Sequence, residues 1–416
     1  MAKAASGRPS SRQRAADMRG AARLLAQATI SLSHVTEALH QSILDRLGIS
    51  GTEAGQTAGV TGFVYKSIRA LTHVLGMSAE GALAVLESFF DSSEDGAHGS
   101  SRREVVLAAL NGVMGDRLMA DKNPLVISMS LRYRGEALNW NALPLPFAPE
   151  HTGRVLLMIH GLCRSDLQWE AEHNGKPVNH ARVLAEALGY TPIYLRYNSG
   201  LHTSQNGREL AAQLEQLLEH WPAAITEISV LAHSMGGLII RSALHYARAE
   251  GLNWPEVLKN IVFLGTPHHG APLEKAGNMI DALLGSTHFT APLARLGKLR
   301  SAGITDLRYG HLLDEDWQGS DRFQRRQDGR RCVALPDDVA CFSVAATTAA
   351  RRSILADRLI GDGLVPLNSA LGAHHDVRRR LNFPESSQWI AYRTSHMALL
   401  SHPDVTRQLL RWLKAE

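Results

Sequence analysis

An α/β fold with a doubly wound, mostly parallel sheet is predicted by three observations. Strand-like and helix-like stretches alternate over most of the chain from residue 125 onward. At 230–246 an apolar strand signal ends at a serine flanked by small residues, and a helix signal starts at once. At 155–159 another apolar run leads directly into His160, Gly161, Leu162 and Cys163.

Taken in order, the chain opens on a basic tail, residues 1–22. Residues 23–122 then read as a helical region. Leu25, Ala28, Leu32, Val35, Leu39, Ile43 and Leu47 fall at three- and four-residue steps, as do Val60, Val64, Ile68, Leu71 and Leu75. A further helix is expected at 105–119, and breaks containing Gly and Ser at 48–59 and 91–101 separate these pieces. Such apolar stripes pack against one another or against the rest of the chain, or they serve a dimer interface or a membrane surface. The remainder, 123–416, carries the sheet. Strands are expected at 125–132, 155–159, 192–197, 228–232, 261–264, 341–346 and 388–393. Helices are expected at 182–188, 207–220, 236–249 and 403–414. Between them, residues 272–335 form a connection far longer than usual. Ile280, Leu283, Leu284, Leu293, Leu296 and Leu299 recur in it at helical spacing, so it reads as a cap shaping a pocket or as a surface helix on the core. Its charged end, 314–331, reads as a solvated loop.

The serine run carries the chemistry. A nucleophile elbow forces one serine out of the sheet on a sharp strand-to-helix turn, and the positions two before and two after it must be nearly bare. Ala232 and Gly236 meet that need around Ser234, and Gly237 lets the helix approach the strand. The chain order for this architecture is oxyanion loop, Ser, Asp or Glu, His. The loop after 155–159 offers the backbone N–H of Leu162, to be paired with that of Met235. A single oxyanion donor is worth about 2.7–4 kcal/mol of barrier. Read alone, the His160-Gly161 pair is also an ordinary strand-ending turn.

Downstream, Asp362 sits between two glycines on a loop, where a short carboxylate can orient an imidazole. His396 follows the strand signal at 388–393 and opens a helix. Asp357 and Asp376 are rival acids. His402 precedes Pro403, which suits a helix N-cap better than catalysis.

The His160–Cys163 loop, the Ala232–Gly237 elbow, the segment 262–272 and Gly361–Pro366 resemble bacterial lipases of the α/β-hydrolase superfamily. They are also similar to the related group described as GPI inositol-deacylase-like hydrolases. The resemblance covers about residue 155 to the C-terminus. It implies an α/β-hydrolase fold, with the cap insertion and N-terminal helical region added to it. It also implies carboxylic-ester hydrolysis through an acyl-enzyme, with Ser234, Asp362 and His396 as the triad and no cofactor. His268 and His269 are expected on a loop lining the pocket, and His160 and His233 are expected to contact substrate. Adjacent histidines lack metal-ligand spacing, so no metal is expected. Calcium-dependent relatives carry an acidic residue shortly after the histidine, where this chain has Met397, Ala398 and Leu399.

The chain has 416 residues and a net charge of +4. Six basic residues (Lys3, Arg8, Arg12, Arg14, Arg19 and Arg23) face one acid, Asp17, in the first 23 positions, which leaves the rest near neutral. Basicity is thus a property of the tail, read as disordered, and no nucleic-acid partner is expected. A contact of the tail with an anionic membrane is the sharper alternative. No compact apolar run follows the basic start, and none is long enough to span a membrane, so a cytoplasmic location is expected. The Arg-rich, acid-poor opening also has the look of an organelle transit peptide. Cys163, Cys332 and Cys341 make no disulfide framework; pairing of Cys332 with Cys341 is the alternative to free thiols. The substrate expected is a small-molecule ester or lipid. Thioester hydrolysis or acyl transfer would use the same triad, and a non-catalytic binding protein on the same scaffold is the contrasting class. Oligomeric state is not legible.

Overall fold

The computed structural model describes residues 17, 19–20, 96–141, 153–271, 300–319, 328–350 and 361–414. Its strands are β1 (Ser130–Tyr133), β2 (Glu136–Ala137), β3 (Arg154–Ile159), β4 (Ala171–His173), β5 (Lys176–Val178), β6 (Thr191–Arg196), β7 (Glu227–His233), β8 (Leu258–Leu264), β9 (Ala340–Thr347) and β10 (Gln388–Tyr392). The main helices are α1 (Gly96–Ala120), α2 (His180–Leu188), α3 (Thr203–His220), α4 (Gly236–Glu250), α5 (Trp254–Val257), α6 (Ala302–Asp306), α7 (Leu367–Ala370) and α8 (Pro403–Leu413). Eight strands form one sheet in the order β10-β9-β8-β7-β3-β6-β1-β2. From β10 to β6 all neighbours are parallel, and β1 and β2 extend the sheet antiparallel. This is the α/β class with a mostly parallel sheet expected from the sequence.

The strands are apolar on both faces because helices cover both. Side chains alternate along a strand. In β3, Val155, Leu157 and Ile159 enter one buried cluster with residues of α1, α3 and α4. Leu156 and Met158 enter the other, with Leu184 of α2 and Leu409 of α8. Phe263 and Val262 of β8 divide the same way. Helix ends follow local chemistry. Asn179 accepts the Arg182 N–H at the start of α2, and Gly189 and Gly251 close α2 and α4 at φ of 72° and 69°. His402 is the N-cap of α8, accepting the Asp404 N–H.

The strand expected at 125–132 is shorter, because buried Asn111 of α1 takes over its backbone. The Asn111 amide donates to the Leu125 carbonyl and accepts the Ile127 N–H, so only Ser130–Tyr133 joins the sheet. Helix α1 packs as closely on the sheet's carboxyl edge. A Cβ on Gly112 would lie 2.4 Å from the Cys163 sulfur, and one on Gly115 would lie 1.9 Å from Asn198 Oδ1. The tail read as disordered through residue 22 also touches this body. Asp17 is buried and pairs with Arg103 at 2.6 and 2.7 Å, and the Gly20 carbonyl accepts from the Asn123 amide.

The helical stripes at 25–75 and the leucines at 280–299 lie outside the described residues. The described ends of the long insertion dock on the body that carries the sheet. Ser301 Oγ donates to the Gly112 carbonyl, Ser242 Oγ to the Leu312 carbonyl, and the Trp317 ring stacks on His202 at 3.7 Å. Of the stretch read as a solvated loop, residues 320–327 lie outside the described residues, and its two ends are anchored. Asp314 pairs with Arg208 at 2.6 Å, and Arg330 is buried. All three cysteines are free thiols, Cys163 and Cys341 buried and Cys332 exposed. No helix among the described residues is long and apolar enough to cross a membrane.

Candidate active site

The carboxyl edge of a parallel sheet is where such folds gather functional loops. Ser234 is the first residue beyond β7 and adopts φ +55°, a left-handed conformation that costs a non-glycine residue about 1–3 kcal/mol. The turn is held by the Ser234 N–H, which donates to the Leu264 carbonyl at 2.8 Å, and by the Gly237 N–H, which donates to the Ser234 carbonyl at 3.1 Å. The bare neighbours are needed because of crowding. A Cβ on Gly236 would come within 2.7 Å of the Ile159 and His160 carbonyls, and one on Gly237 within 2.1 Å of Thr266 Oγ1. Gly161, in the loop after β3, faces the serine: its Cβ would lie 3.0 Å from that of Ser234.

Asp362 lies in a tight turn between Gly361 at φ +50° and Gly363 at φ +97°. The Thr348 N–H donates to the Gly361 carbonyl at 3.0 Å, which sets the turn beside the end of β9. The carboxylate is buried. Its Oδ1 accepts the Leu364 and Val365 N–H groups at 2.9 and 2.7 Å. Its Oδ2 meets His396 Nδ1 at 2.6 Å, and the His396 N–H donates to the Asp362 carbonyl at 3.0 Å. With a carboxylate as its partner, Nδ1 carries the proton, which leaves Nε2 as the basic nitrogen. A Cβ on Gly265, the residue after β8, would lie 3.1 Å from the imidazole. That puts the ring over the end of the strand next to β7, whose last residue precedes Ser234. The Ser234 hydroxyl makes no hydrogen bond with a described residue, His396 included; catalytic bonds in unliganded enzymes are often long and tighten with substrate.

Two of the three rival residues are placed elsewhere. Asp376 pairs with the exposed Arg378, His402 caps α8, and Asp357 lies outside the described residues. Neither the Leu162 nor the Met235 N–H donates to a protein atom among the described residues.

The four histidines expected to touch substrate are placed differently. His160 is fully buried and stacked on Tyr197 at 4.1 Å. Its Nδ1 donates to the Gly161 carbonyl, and its Nε2 accepts the Tyr197 N–H. Burial pushes its pKa down to about 4, so it stays neutral and fixes the turn before Leu162. His233 is buried beneath His396, with ring centroids 4.7 Å apart, and its Nε2 meets the His396 carbonyl at 3.2 Å. Burial, with the neighbouring His396 adding to it, holds His233 well below the usual histidine range. Both rings brace the backbone of the site. His268 and His269 line a different cavity, whose walls include none of Ser234, Asp362 and His396. Their direction could not be read from a His-His pair.

A family model described as Domain of unknown function (DUF7379) matches residues 132–304. No curated protein matches the sequence. Among solved structures, the chain is similar to the mature lipase BlEst2 of Bacillus licheniformis (18% identity, 65% of this chain and 94% of that one, TM-score 0.41). It is also similar to lipase B of Aspergillus fumigatus (12% identity, 95% and 85%, TM-score 0.40). A third similarity is to an esterase of Pyrococcus furiosus (15% identity, 64% and 83%, TM-score 0.37).

Proposed function

We propose that the protein is a serine hydrolase that cleaves carboxylic esters through an acyl-enzyme on Ser234. The observation that carries this reading is the buried 2.6 Å bond between Asp362 and His396, two loops joined over the strand ends beside a strained serine. In this reading His396 Nε2 takes the Ser234 proton as Oγ attacks the ester carbonyl. Asp362 stabilises the imidazolium and keeps its proton on Nδ1. The oxyanion is received by the Leu162 and Met235 N–H groups. Collapse breaks the ester C–O bond, and the leaving alcohol takes the proton from His396. Water, deprotonated by His396, then attacks the acyl carbonyl, and the acid leaves as Ser234 recovers its proton. No step calls for a cofactor.

The reading is tested by the p-nitrophenyl ester series from acetate to palmitate. Nitrophenol release by the wild type is expected, and the chain length of fastest turnover separates a small-ester esterase from a lipase. A folded protein that releases nitrophenol from none of them would overturn the proposal.

A further inference from the structure

A cavity of about 280 Å³ lies between α4, the loop after β8, residues 330–334 and residues 378–381. Its size is near the lower end for small-molecule pockets, about 300–1,000 Å³. Among the described residues, six arginines from three separate segments line it (Arg241, Arg330, Arg331 and Arg378 to Arg380), and no carboxylate does. Among the described residues, the carboxylates that act on these arginines are Glu315, Asp316, Asp328 and Asp376. Arg331 meets Glu315, Arg330 and Arg379 meet Asp328, and Arg378 meets Asp376.

Arg241 is different. It is 6% exposed and has no carboxylate partner among the described residues. Its Nη2 donates to the Val333 carbonyl and its Nη1 to His268 Nδ1 at 3.2 Å, while its Nε is buried without an acceptor. Because His268 Nδ1 accepts that bond, the ring proton sits on Nε2, and this N–H is also buried without a partner. Next to it, Arg330 Nη2 donates to His269 Nδ1 at 2.8 Å, and His269 Nε2 donates to the Gly372 carbonyl. The two adjacent histidines therefore hold two guanidinium planes at fixed angles. Burial keeps both rings neutral, His269 at about 4 and His268 well below the usual range, so they orient the arginines without repelling them. Burial, with Arg330 nearby, brings Arg241 down to about 10, still a cation at neutral pH.

A buried cation without a counter-charge is costly, and a buried N–H donor without an acceptor adds to the cost. An anion entering the cavity supplies the counter-charge that the buried Arg241 lacks among the described residues. Guanidinium forks match the oxygen geometry of a phosphate, which accepts from several donors at once. We propose that this cavity is an anion site for a phosphate group, separate from the centre at Ser234, with Arg241 as its buried cation, held in place by His268, and Arg330 at its wall. The shared chemistry is a phosphate group, supplied either by a lipid headgroup or as free phosphate. The site does not depend on the ester-hydrolase reading.

The test is calorimetric titration of the full chain with inorganic phosphate, with sodium chloride of matched ionic strength as the control. Saturable phosphate binding is expected, with at least tenfold loss in Arg241→Gln and partial recovery in Arg241→Lys. If Arg241→Gln does not fold, Arg330→Gln serves the same comparison. Phosphorylcholine binding more tightly than inorganic phosphate would assign the site to a lipid headgroup; the reverse order would assign it to free phosphate. Wild type that responds to phosphate no more than to chloride would overturn the proposal, as would Arg241→Gln binding as tightly as wild type.

Discussion

Ser234→Ala is expected to remove ester turnover almost completely, by about 10⁶-fold in kcat, with a residue of about 10³–10⁴-fold over water from binding and the oxyanion donors. The hydroxyl is the only group on this residue that can form the acyl bond. Alanine pays the same conformational cost as serine at φ +55°, so the turn gains nothing from the change. The melting temperature should therefore stay within a degree or two of wild type (a stability change of a few tenths of a kcal/mol). Steady-state rates and a thermal melt on the same preparation separate lost chemistry from lost folding. A mutant that kept wild-type turnover would place the nucleophile elsewhere.

Asp362→Asn is expected to lower kcat by about 10⁴-fold. The change is nearly isosteric, and the hydrogen bonds decide its effect. Oδ1 of Asp362 is held by the Leu364 and Val365 N–H groups, so the amide oxygen of asparagine takes that place. Its NH₂ then faces His396 Nδ1, where Oδ2 now accepts. A donor there demands a lone pair on Nδ1 and drives the ring proton to Nε2, leaving no base for Ser234. KM should change little, because the carboxylate is buried away from bulk solvent and acts through His396. Full activity in the asparagine variant would move attention to Asp357 as the acid.

The parts of the site legible in the sequence are those where sterics leave a written trace. The crowding around Ser234 allows only small residues at 232, 236 and 237, and the tight turn at Asp362 requires two glycines with positive φ. The strands were legible because both faces are apolar. The direction of a ring left no such trace. His160 and His233 look like contacts from their places beside the turn, yet both nitrogens of His160 and Nε2 of His233 are engaged with the backbone. Nothing in the helix expected at 105–119 marks out Asn111, whose amide takes up the backbone of Leu125 and Ile127 in place of a strand ladder. The Arg241–His268 pair joins residues 27 apart that only the fold brings together. One signal was present and unused: Asn174-Gly175, the turn of the β4–β5 hairpin with φ of 50° and 72°, is the dipeptide such turns favour.

The most direct measurement of the central claim is to react the wild-type protein with a fluorophosphonate and map the modified peptide by mass spectrometry. The account predicts one adduct, on Ser234, formed by displacement of fluoride by the serine oxygen and absent from Ser234→Ala. A folded wild-type protein that takes up no label, or takes it up at another residue with Ser234 unmodified, would contradict it.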